Sequence, residues 1–278
     1  MSDTNTMVSN YEEVPIHHSL SPESIRDLIE EKVPAIRIPN YVSSETAQKI
    51  IDFILAQASL DAYTHEVYID GVPEQKYYGV YRVGIPFNST YGTPAGSAER
   101  ENYYQAALPG LRRLRDLCAP NLSPIDRLRL DLDEAWMDGA TIAAFEGRKM
   151  FAGMVRIMPP DDSHILEEKP HVDCLPASIC PLDQQLSANI YLKMPPVGGT
   201  LESWNVPTLS YADIERLPDG TIPRTDLPKP VVIHPQECEL VLINTRKPHA
   251  VSSFSGGIRI SVQAFIGYQP GKPLRLWC

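Results

Sequence analysis

The feature that most constrains the fold of this chain is a series of short apolar runs that begins after residue 140. Gly, Pro, Asn or Asp separates most of these runs, and several of them alternate apolar with polar residues. Short runs bounded by turn residues predict β-strands, and so many at close spacing predict a sandwich or barrel. The runs are TIAAFE, MFAGMVRIM, QLSANIYLKM, GGTLESW, KPVVIHP, CELVLINT and GGIRISVQAFIGY.

The first 140 residues show a different pattern, because many of their apolar residues recur at helical spacing. Serine stands where a helix N-cap is expected in several places, and its hydroxyl can accept a backbone hydrogen bond there. Helices are expected over residues 21–32, from Ser43, over 98–118 with a break at Pro109–Gly110, and from Ser123–Pro124. Strands are expected at 35–42 and within 77–87.

The predicted fold class is therefore α+β. A mainly helical N-terminal part, residues 1–140, would pack on a β-sandwich formed by residues 141–278. The sequence around residue 140 is neither rich in Gly and Ser nor strongly charged, so the boundary predicts a change of structure rather than a linker. We expect residues 1–278 to form one domain, which is long enough to bury a sizeable core.

Composition limits the partners that this chain can have. It carries 35 acidic and 25 basic residues, a formal net charge of −10, which disfavours nucleic acid and anionic membranes. No apolar run is long enough to cross a bilayer, and residues 1–11 lack the pattern of a signal peptide. We therefore expect a cytoplasmic protein. The cysteine count of 5 is odd and no CxxC occurs, which favours neither a disulfide framework nor a zinc finger.

The stretch EEKPHVDCLP places His171 and Asp173 one residue apart. On a strand, side chains two positions apart project from the same face, so both could reach one point. A further histidine, His249, follows the run CELVLINT, and Arg259 and Ser261 repeat the two-residue spacing in the run after it. His-x-Asp alone is a weak signal, whereas this ordered set within a β-rich half is much stronger.

Two imidazoles and one carboxylate on one face of a metal leave three coordination positions open. Non-haem Fe(II) oxygenases use this facial triad. An arginine in a strand rich in Ile, Val and Phe is costly to bury without an anionic partner. The distal carboxylate of 2-oxoglutarate would satisfy the guanidinium of Arg259 with two hydrogen bonds, and the Ser261 hydroxyl could add a third.

The ordered pattern His171-x-Asp173, His249 and Arg259-x-Ser261 resembles that of the Fe(II)/2-oxoglutarate-dependent oxygenases. Four segments are similar to the small-molecule branch of that superfamily, which includes free-amino-acid hydroxylases and halogenases. They are DRLRLDLDEAW, GRKMFAGMVRIM, QLSANIYLKMPPVGGTLESWN and GGIRISVQAFIGY, so that the resemblance covers roughly residues 120–278.

The resemblance implies a double-stranded β-helix, that is, a jelly-roll or cupin-like core. It also implies Fe(II), 2-oxoglutarate and O2 as cofactors, with His171, Asp173 and His249 as metal ligands and catalytic residues. The keto acid end of 2-oxoglutarate would bind the metal and its C5 carboxylate would bind Arg259. The expected partner is a small molecule such as a free amino acid, a homodimer is one option, and loops including 77–100 would form the lid.

The resemblance also bears on the reaction. The related halogenases have Gly or Ala in place of the metal-binding carboxylate, whereas this chain has Asp173. Hydroxylation of an unactivated C–H bond is therefore favoured over halogenation. Desaturation, ring closure and epimerisation use the same ligands and stay open. A cupin-like binding protein without oxidative chemistry is the alternative from another class, since one scaffold hosts many functions.

Other residues are candidates by position alone. Asn189 and Tyr191 share one face of the strand that follows the His-x-Asp segment and could contact 2-oxoglutarate. Arg82 and Arg156 interrupt apolar runs and could bind a substrate carboxylate, although surface salt bridges would explain them too. The remaining candidates are Glu146 for a substrate amine, and Trp204 and Trp277 as walls of the pocket, where ordinary packing is the simpler explanation.

Overall fold

Helices occupy much of the first half of the chain. The structure, a computed structural model, describes residues 14–69, 72–160, 168–217 and 220–278, with side chains throughout except at 64–78. The longer helices are α1 (Pro22–Ile29), α2 (Ser44–Leu55), α3 (Ala98–Cys118) and α4 (Pro124–Ala135), and a short α5 (Tyr211–Ile214) follows in the second half. A serine caps each of them, which confirms the expected N-caps Ser21, Ser43 and Ser123.

A large, mostly antiparallel sheet forms the centre of the molecule. Its strands lie in the order β1-β12-β8-β15-β7-β3-β2, with β16 beside β15 and β4 parallel to β16. A smaller sheet has the order β11-β10-β13, and β14-β9 and β5-β6 form two-stranded pairs. The strands are β1 (Ala35–Ile38), β2 (Asp61–Ile69), β3 (Val72–Val83), β4 (Ala140–Ile142), β5 (Ala144–Phe145), β6 (Arg148–Lys149), β7 (Met154–Met158), β8 (Gln184–Lys193), β9 (Val197–Gly198), β10 (Leu201–Ser203), β11 (Val231–Ile233), β12 (Leu240–Asn244), β13 (His249–Val251), β14 (Phe254–Ser255), β15 (Arg259–Tyr268) and β16 (Leu274–Trp277).

The large sheet has two chemically different faces. On one face, Ile190 of β8 and Val262 of β15 pack in the main core with apolar residues of the helices, such as Ile50 of α2. On the other face, Tyr191, Val241 and Ile243 pack in a second cluster with Leu201 and Ile233 of the small sheet. Because successive strand residues alternate in direction, the face between the two sheets collects the odd-numbered residues of β8 and β15.

The expected division at residue 140 is not a boundary of the sheet. The hairpin of β2 and β3 extends the large sheet through antiparallel pairing with β7, and β1 pairs with β12 at the opposite edge. The strand β2, which includes His65, is not among the strands expected from the sequence. The expected mixture of helices with antiparallel strands is present, but the N-terminal part supplies both edge strands of the main path as well as the helices.

One helix prediction is wrong in detail. The break expected at Pro109–Gly110 does not occur, because α3 is continuous through Pro109. Proline removes the bond to the carbonyl four residues earlier. Burial of Tyr103, Leu111 and Leu114 on the same helix stabilises it on both sides of the proline.

Within the described ranges, we find no helix that is both long enough and apolar enough to span a bilayer.

Candidate metal centre

Three side chains predicted as metal ligands converge at one end of the space between the two sheets. One nitrogen each from His171 and His249 and one Asp173 oxygen all lie within 4.8 Å of one another. The His249 Nε2 atom lies 3.4 Å from the Asp173 Oδ2 atom, and the two imidazole centroids are 4.4 Å apart. His249 is buried, whereas the Asp173 side chain keeps 35% of its exposure, so the cluster is reachable from solvent.

Backbone pairing brings these ligands together. The His171 N–H donates to the His249 carbonyl at 3.0 Å, and the His249 N–H donates to the His171 carbonyl at 2.9 Å. The Asp173 N–H donates to the Thr245 carbonyl at 2.9 Å. Only His171 of the segment 171–175 pairs in a bridge, so the expected regular strand is absent. The convergence therefore depends on pairing with the β12–β13 turn and not on strand alternation alone.

Both histidines have one ring nitrogen occupied. His171 Nδ1 lies 2.9 Å from the Lys169 carbonyl oxygen, and His249 Nδ1 lies 3.1 Å from the Lys247 carbonyl oxygen. A proton on Nδ1 that donates to a carbonyl leaves Nε2 as a lone-pair donor, which is the usual arrangement of a metal-binding imidazole.

Asp173 is held in its ionised form. Burial acts to raise the pKa of its carboxyl, but the hydrogen bond with His249 and the charges of His249, His171 and Arg156 outweigh burial. The pKa of Asp173 therefore lies well below its usual range. The cluster offers two imidazole nitrogens and one anionic carboxylate oxygen as ligands.

A polar cleft leads away from the cluster between the sheets. Arg259 lies within it, 5% exposed, and its Nη2 atom is 3.3 Å from the Tyr191 hydroxyl. Its guanidinium carbon lies 5.0 Å from the centroid of the Tyr191 ring, close enough for a cation–π interaction. Ser261 stands opposite Tyr191 in the sheet, and Asn189 also lines the cleft, with its amide donating to the Ser187 hydroxyl at 3.0 Å. The structure thus places the four predicted 2-oxoglutarate residues together.

Of the residues predicted from the sequence to bind substrate, Arg156 is the one found among the described residues that line this cleft. It stands opposite Ser261 in the pairing of β7 with β15. Its Nη1 atom lies 3.3 Å from the Gln263 Oε1 atom, and its guanidinium carbon lies 5.7 Å from the Tyr63 ring centroid. Arg156 therefore occupies the part of the cleft nearer to the β2–β3 hairpin.

The structure places Glu146, the residue predicted to receive a substrate amine, outside the lining of the cleft. It lies at the tight turn between β5 and β6 with φ of 54°, and its carboxylate pairs with Arg100 at 2.6 Å. Residues of the helix α3 that carries Arg100 pack in the main core, on the face of the large sheet opposite the cleft.

Three other candidates also lie outside the lining of the cleft. Arg82 lines a separate cavity of about 470 Å³ between α2, α3 and the sheet, where it approaches Asp61 at 4.0 Å. Trp277 stacks obliquely on Phe265 with centroids 5.8 Å apart, and Trp204 lies 5.2 Å below the Arg224 guanidinium. Packing, the simpler explanation, accounts for both tryptophans.

Sequence reasoning missed several residues near the cluster. Gln263 lines the cleft because it continues the face of Arg259 and Ser261, and strand alternation could have identified it.

Tyr63, Asn88 and Tyr91 lie beside Arg156 and Asp173 on the hairpin and the turn after it. Burial of the hydroxyl raises the pKa of Tyr91 well above its usual range, with contributions from Tyr63 and Asp173. Only tertiary packing brings these three residues to the site.

Arg246 is a further residue that the sequence pattern did not single out. It is buried in the β12–β13 turn, where Nη1 donates to the Leu182 carbonyl at 3.0 Å and Nε to the Leu209 carbonyl at 3.1 Å. Its guanidinium carbon lies 4.7 Å from the Tyr211 ring centroid. This turn carries both Thr245, which receives the Asp173 N–H, and the chain leading to His249.

Comparison with solved structures identifies the fold. The chain is similar to the crystal structure of an N-substituted L-amino acid dioxygenase from Burkholderia ambifaria AMMD in complex with α-ketoglutarate. The TM-score is 0.57 at 14% identity, over 92% of this chain and 91% of that chain. A second crystal structure of that enzyme gives a TM-score of 0.54 at 13% identity, with coverage of 92% and 91%. No protein-family model matches the chain, and no curated protein matches it. The likeness therefore confirms the expected resemblance at the level of the fold.

Proposed function

We propose that this protein is an Fe(II)- and 2-oxoglutarate-dependent oxygenase that hydroxylates an unactivated C–H bond of a small molecule such as an amino acid. The observation that carries the proposal is the convergence of His171, Asp173 and His249 at one end of a cleft that also contains Arg259. A fold shared with an N-substituted amino acid dioxygenase supports it.

The donor set fits the proposed metal. Two imidazole nitrogens and one carboxylate oxygen are ligands suited to non-haem Fe(II), and three protein ligands leave positions for a co-substrate and O2. The Nδ1 contacts of both histidines keep Nε2 available. His171, Asp173 and His249 would therefore hold the metal.

The polar groups of the cleft suit 2-oxoglutarate as the co-substrate. Arg259 is buried at the end of the cleft beside Tyr191 and Ser261, so a carboxylate there would meet a guanidinium and two hydroxyls in a site of low dielectric. Charge-assisted hydrogen bonds of this kind are among the strongest in proteins. Arg259 would hold the distal carboxylate, and Asn189 lies on the same wall.

When bound, Fe(II) with 2-oxoglutarate and O2 supplies the oxidising chemistry, and the protein supplies binding and orientation. Leu201, Ile243 and Val251 provide apolar walls that limit water in the cleft. Asp173 occupies the position that would have to be vacant for a halide, so hydroxylation is favoured over halogenation. Desaturation or ring closure would use the same residues.

The sheets also support the finer interpretation of the fold. We infer that the large and small sheets form a double-stranded β-helix, since ligands and cleft residues come from both of them. The main core runs without interruption from α1 to β16, which supports one catalytic domain over residues 1–278.

The first prediction tests the oxygenase proposal directly. Purified protein with Fe(II), ascorbate and 2-oxoglutarate should form succinate in the presence of an amino acid or N-acylated amino acid. Asp173→Ala should lose this activity by at least roughly a hundredfold, because the metal loses its anionic ligand. The measurement is succinate and product mass, with +16 for hydroxylation and −2 for desaturation.

A matched control separates the metal site from a general effect of losing an aspartate. Asp116→Ala, at an exposed position on α3, should keep wild-type activity. Full activity in Asp173→Ala would refute the metal assignment. Failure of the wild-type protein to bind iron or form succinate with any substrate would favour the non-oxidative binding protein.

A further inference from the structure

We propose that Gln185 is a positioning residue for the metal centre, which holds the backbone of Asp173 so that its carboxylate meets the two histidines. The inference rests on the function proposed above, because it takes His171, Asp173 and His249 as the metal ligands. It adds a residue from another strand that determines whether the anionic ligand is in place.

The segment that carries Asp173 is not a regular strand. His171 pairs in a bridge with His249, but the described residues 172–175 form no strand. A ligand on an irregular segment is oriented only as well as its own backbone is held, because the side chain starts from that backbone. The hydrogen bonds of this backbone therefore decide how precisely the Asp173 carboxylate is placed.

The Gln185 side chain supplies hydrogen bonds that a neighbouring strand would otherwise supply. Its Oε1 atom accepts the Leu175 N–H at 2.7 Å, and its Nε2 atom donates to the Asp173 carbonyl oxygen at 3.2 Å. One partner is a donor and the other an acceptor, so together they also determine the orientation of the amide. The amide thus holds the backbone on both sides of Cys174.

Gln185 is also connected to Asp173 through Thr245. The Asp173 N–H donates to the Thr245 carbonyl at 2.9 Å, and the Thr245 N–H donates to the Gln185 carbonyl at 2.9 Å. The Thr245 hydroxyl donates to the same Gln185 carbonyl at 3.3 Å. Gln185 therefore restrains both the N–H and the carbonyl of Asp173, which lie on either side of the Cα atom that carries the ligand.

Burial strengthens these contacts. Gln185 is 1% exposed and Thr245 is 0% exposed, so water does not compete for the hydrogen bonds. By strand alternation Gln185 shares one face of β8 with Ser187 and Asn189, which line the cleft. An amide left without partners in such a place destabilises the fold, so residues 173–175 are held where they satisfy Gln185.

The test measures metal binding without turnover. Co(II) is the probe, because it binds imidazole ligands more tightly than Fe(II) does and its visible absorption depends on the coordination geometry. Gln185→Met retains the length of the side chain and removes both of its hydrogen bonds. We expect it to weaken Co(II) binding by roughly ten- to a hundredfold, and to shift the absorption of the Co(II)-saturated protein in the same direction as Asp173→Ala does.

A double-mutant cycle shows whether Gln185 acts through Asp173. In the Asp173→Ala background, Gln185→Met should weaken Co(II) binding by no more than about threefold, since the ligand that Gln185 positions is already gone. Losses that multiply in full would show that Gln185 affects the site by another route, and the inference would be wrong.

Tyr103→Phe is the control for a general loss of stability. The Tyr103 hydroxyl accepts the buried Phe151 N–H at 2.8 Å in the main core, on the face of the large sheet opposite the cleft. This variant should lower the midpoint of denaturant unfolding but leave the Co(II) affinity and absorption as in the wild type. Equal changes of affinity in Tyr103→Phe and Gln185→Met would reduce Gln185 to a general structural role.

Hydrogen exchange tests the inference on the wild-type protein, without any variant. The Leu175 amide N–H of the metal-free protein should exchange at least roughly a hundredfold more slowly than in an unfolded chain, because Gln185 holds it. Exchange at the unfolded rate would contradict the inference.

The failure of this inference differs from the failure of the proposed function. If Asp173→Ala weakens Co(II) binding while Gln185→Met binds as the wild type does, the metal site stands and the positioning role is rejected. If Asp173→Ala binds Co(II) as tightly as the wild type, the metal assignment itself is rejected, and the positioning role with it.

Discussion

At the scale of single residues, the sequence pattern and the structure agree best at the three candidate metal ligands. His171, Asp173 and His249 were selected by order and spacing, and their ligand atoms meet within 4.8 Å. Among the residues that the structure describes, neither Cys174, which follows Asp173 in the sequence, nor His234 belongs to the cluster. The chemistry of the side chains limited the choice, since few ordered sets of His and Asp carry an arginine on the following strand.

Arg259 provides a prediction at this scale. Arg259→Gln should raise the KM for 2-oxoglutarate by roughly ten- to a hundredfold, because a buried charge-assisted pair is lost. The measurement is succinate formation as a function of 2-oxoglutarate concentration. Arg216→Gln is the matched control, since this arginine is 77% exposed and should leave KM unchanged. An unaltered KM in Arg259→Gln would assign this arginine another role.

At the scale of structural elements, the site depends on a turn as much as on strands. The β12–β13 turn receives the Asp173 N–H at Thr245 and leads directly into His249. Within this turn, Arg246 donates hydrogen bonds to the Leu182 and Leu209 carbonyls, and Lys247 forms an ion pair with Glu31 at 2.8 Å. The buried side chains of Arg246 and Lys247 thus stabilise the turn that positions His249.

Arg246→Met should lower the stability of the fold, although it replaces none of the three candidate metal ligands. The Leu182 carbonyl would lose this donor in a buried place and the Leu209 carbonyl in a half-buried one, and a buried unsatisfied group costs about 1–3 kcal/mol. We expect a lower midpoint of denaturant unfolding in the metal-free protein and weaker Mn(II) binding. Arg216→Met on the exposed surface should change neither quantity, and an unchanged midpoint in Arg246→Met would show that the turn holds its shape without the arginine.

Local signals predicted the helices well for a physical reason. An N-cap serine bonds to a backbone N–H three residues away, as Ser123 does with Asp126 at 3.1 Å, so the information lies in one short segment. The hairpin of β2 and β3 was recognised only in part, because its pairing with β7 involves residues far along the chain. Tertiary burial likewise decided that α3 continues through Pro109.

At the scale of the whole molecule, the metal site joins distant parts of the chain. Its candidate ligands come from residues 171–173 and from β13, which are far apart along the chain. A ligand that binds only the folded state stabilises it by mass action. Metal binding should therefore stabilise the fold as a whole.

Mn(II) in excess should raise the melting temperature of the protein, and a chelator should reverse the rise. At one hundred times the dissociation constant the expected stabilisation is about 2.7 kcal/mol. Differential scanning calorimetry measures the shift. His171→Ala should abolish most of it, whereas His234→Ala, at an exposed position just after β11, should keep it. An equal shift in both variants would place the metal elsewhere.

The sequence by itself determined the helix caps, the strand-rich second half, and the choice of His171, Asp173, His249 and Arg259 as candidate site residues. Each of these depends on a residue type, a short spacing or an alternation that operates within one segment. Only the tertiary structure decided which residues share a site. It brought Arg156, Tyr63 and Tyr91 to the cluster and separated Glu146 from it, because long-range strand pairing and packing, which no single segment contains, determine those distances.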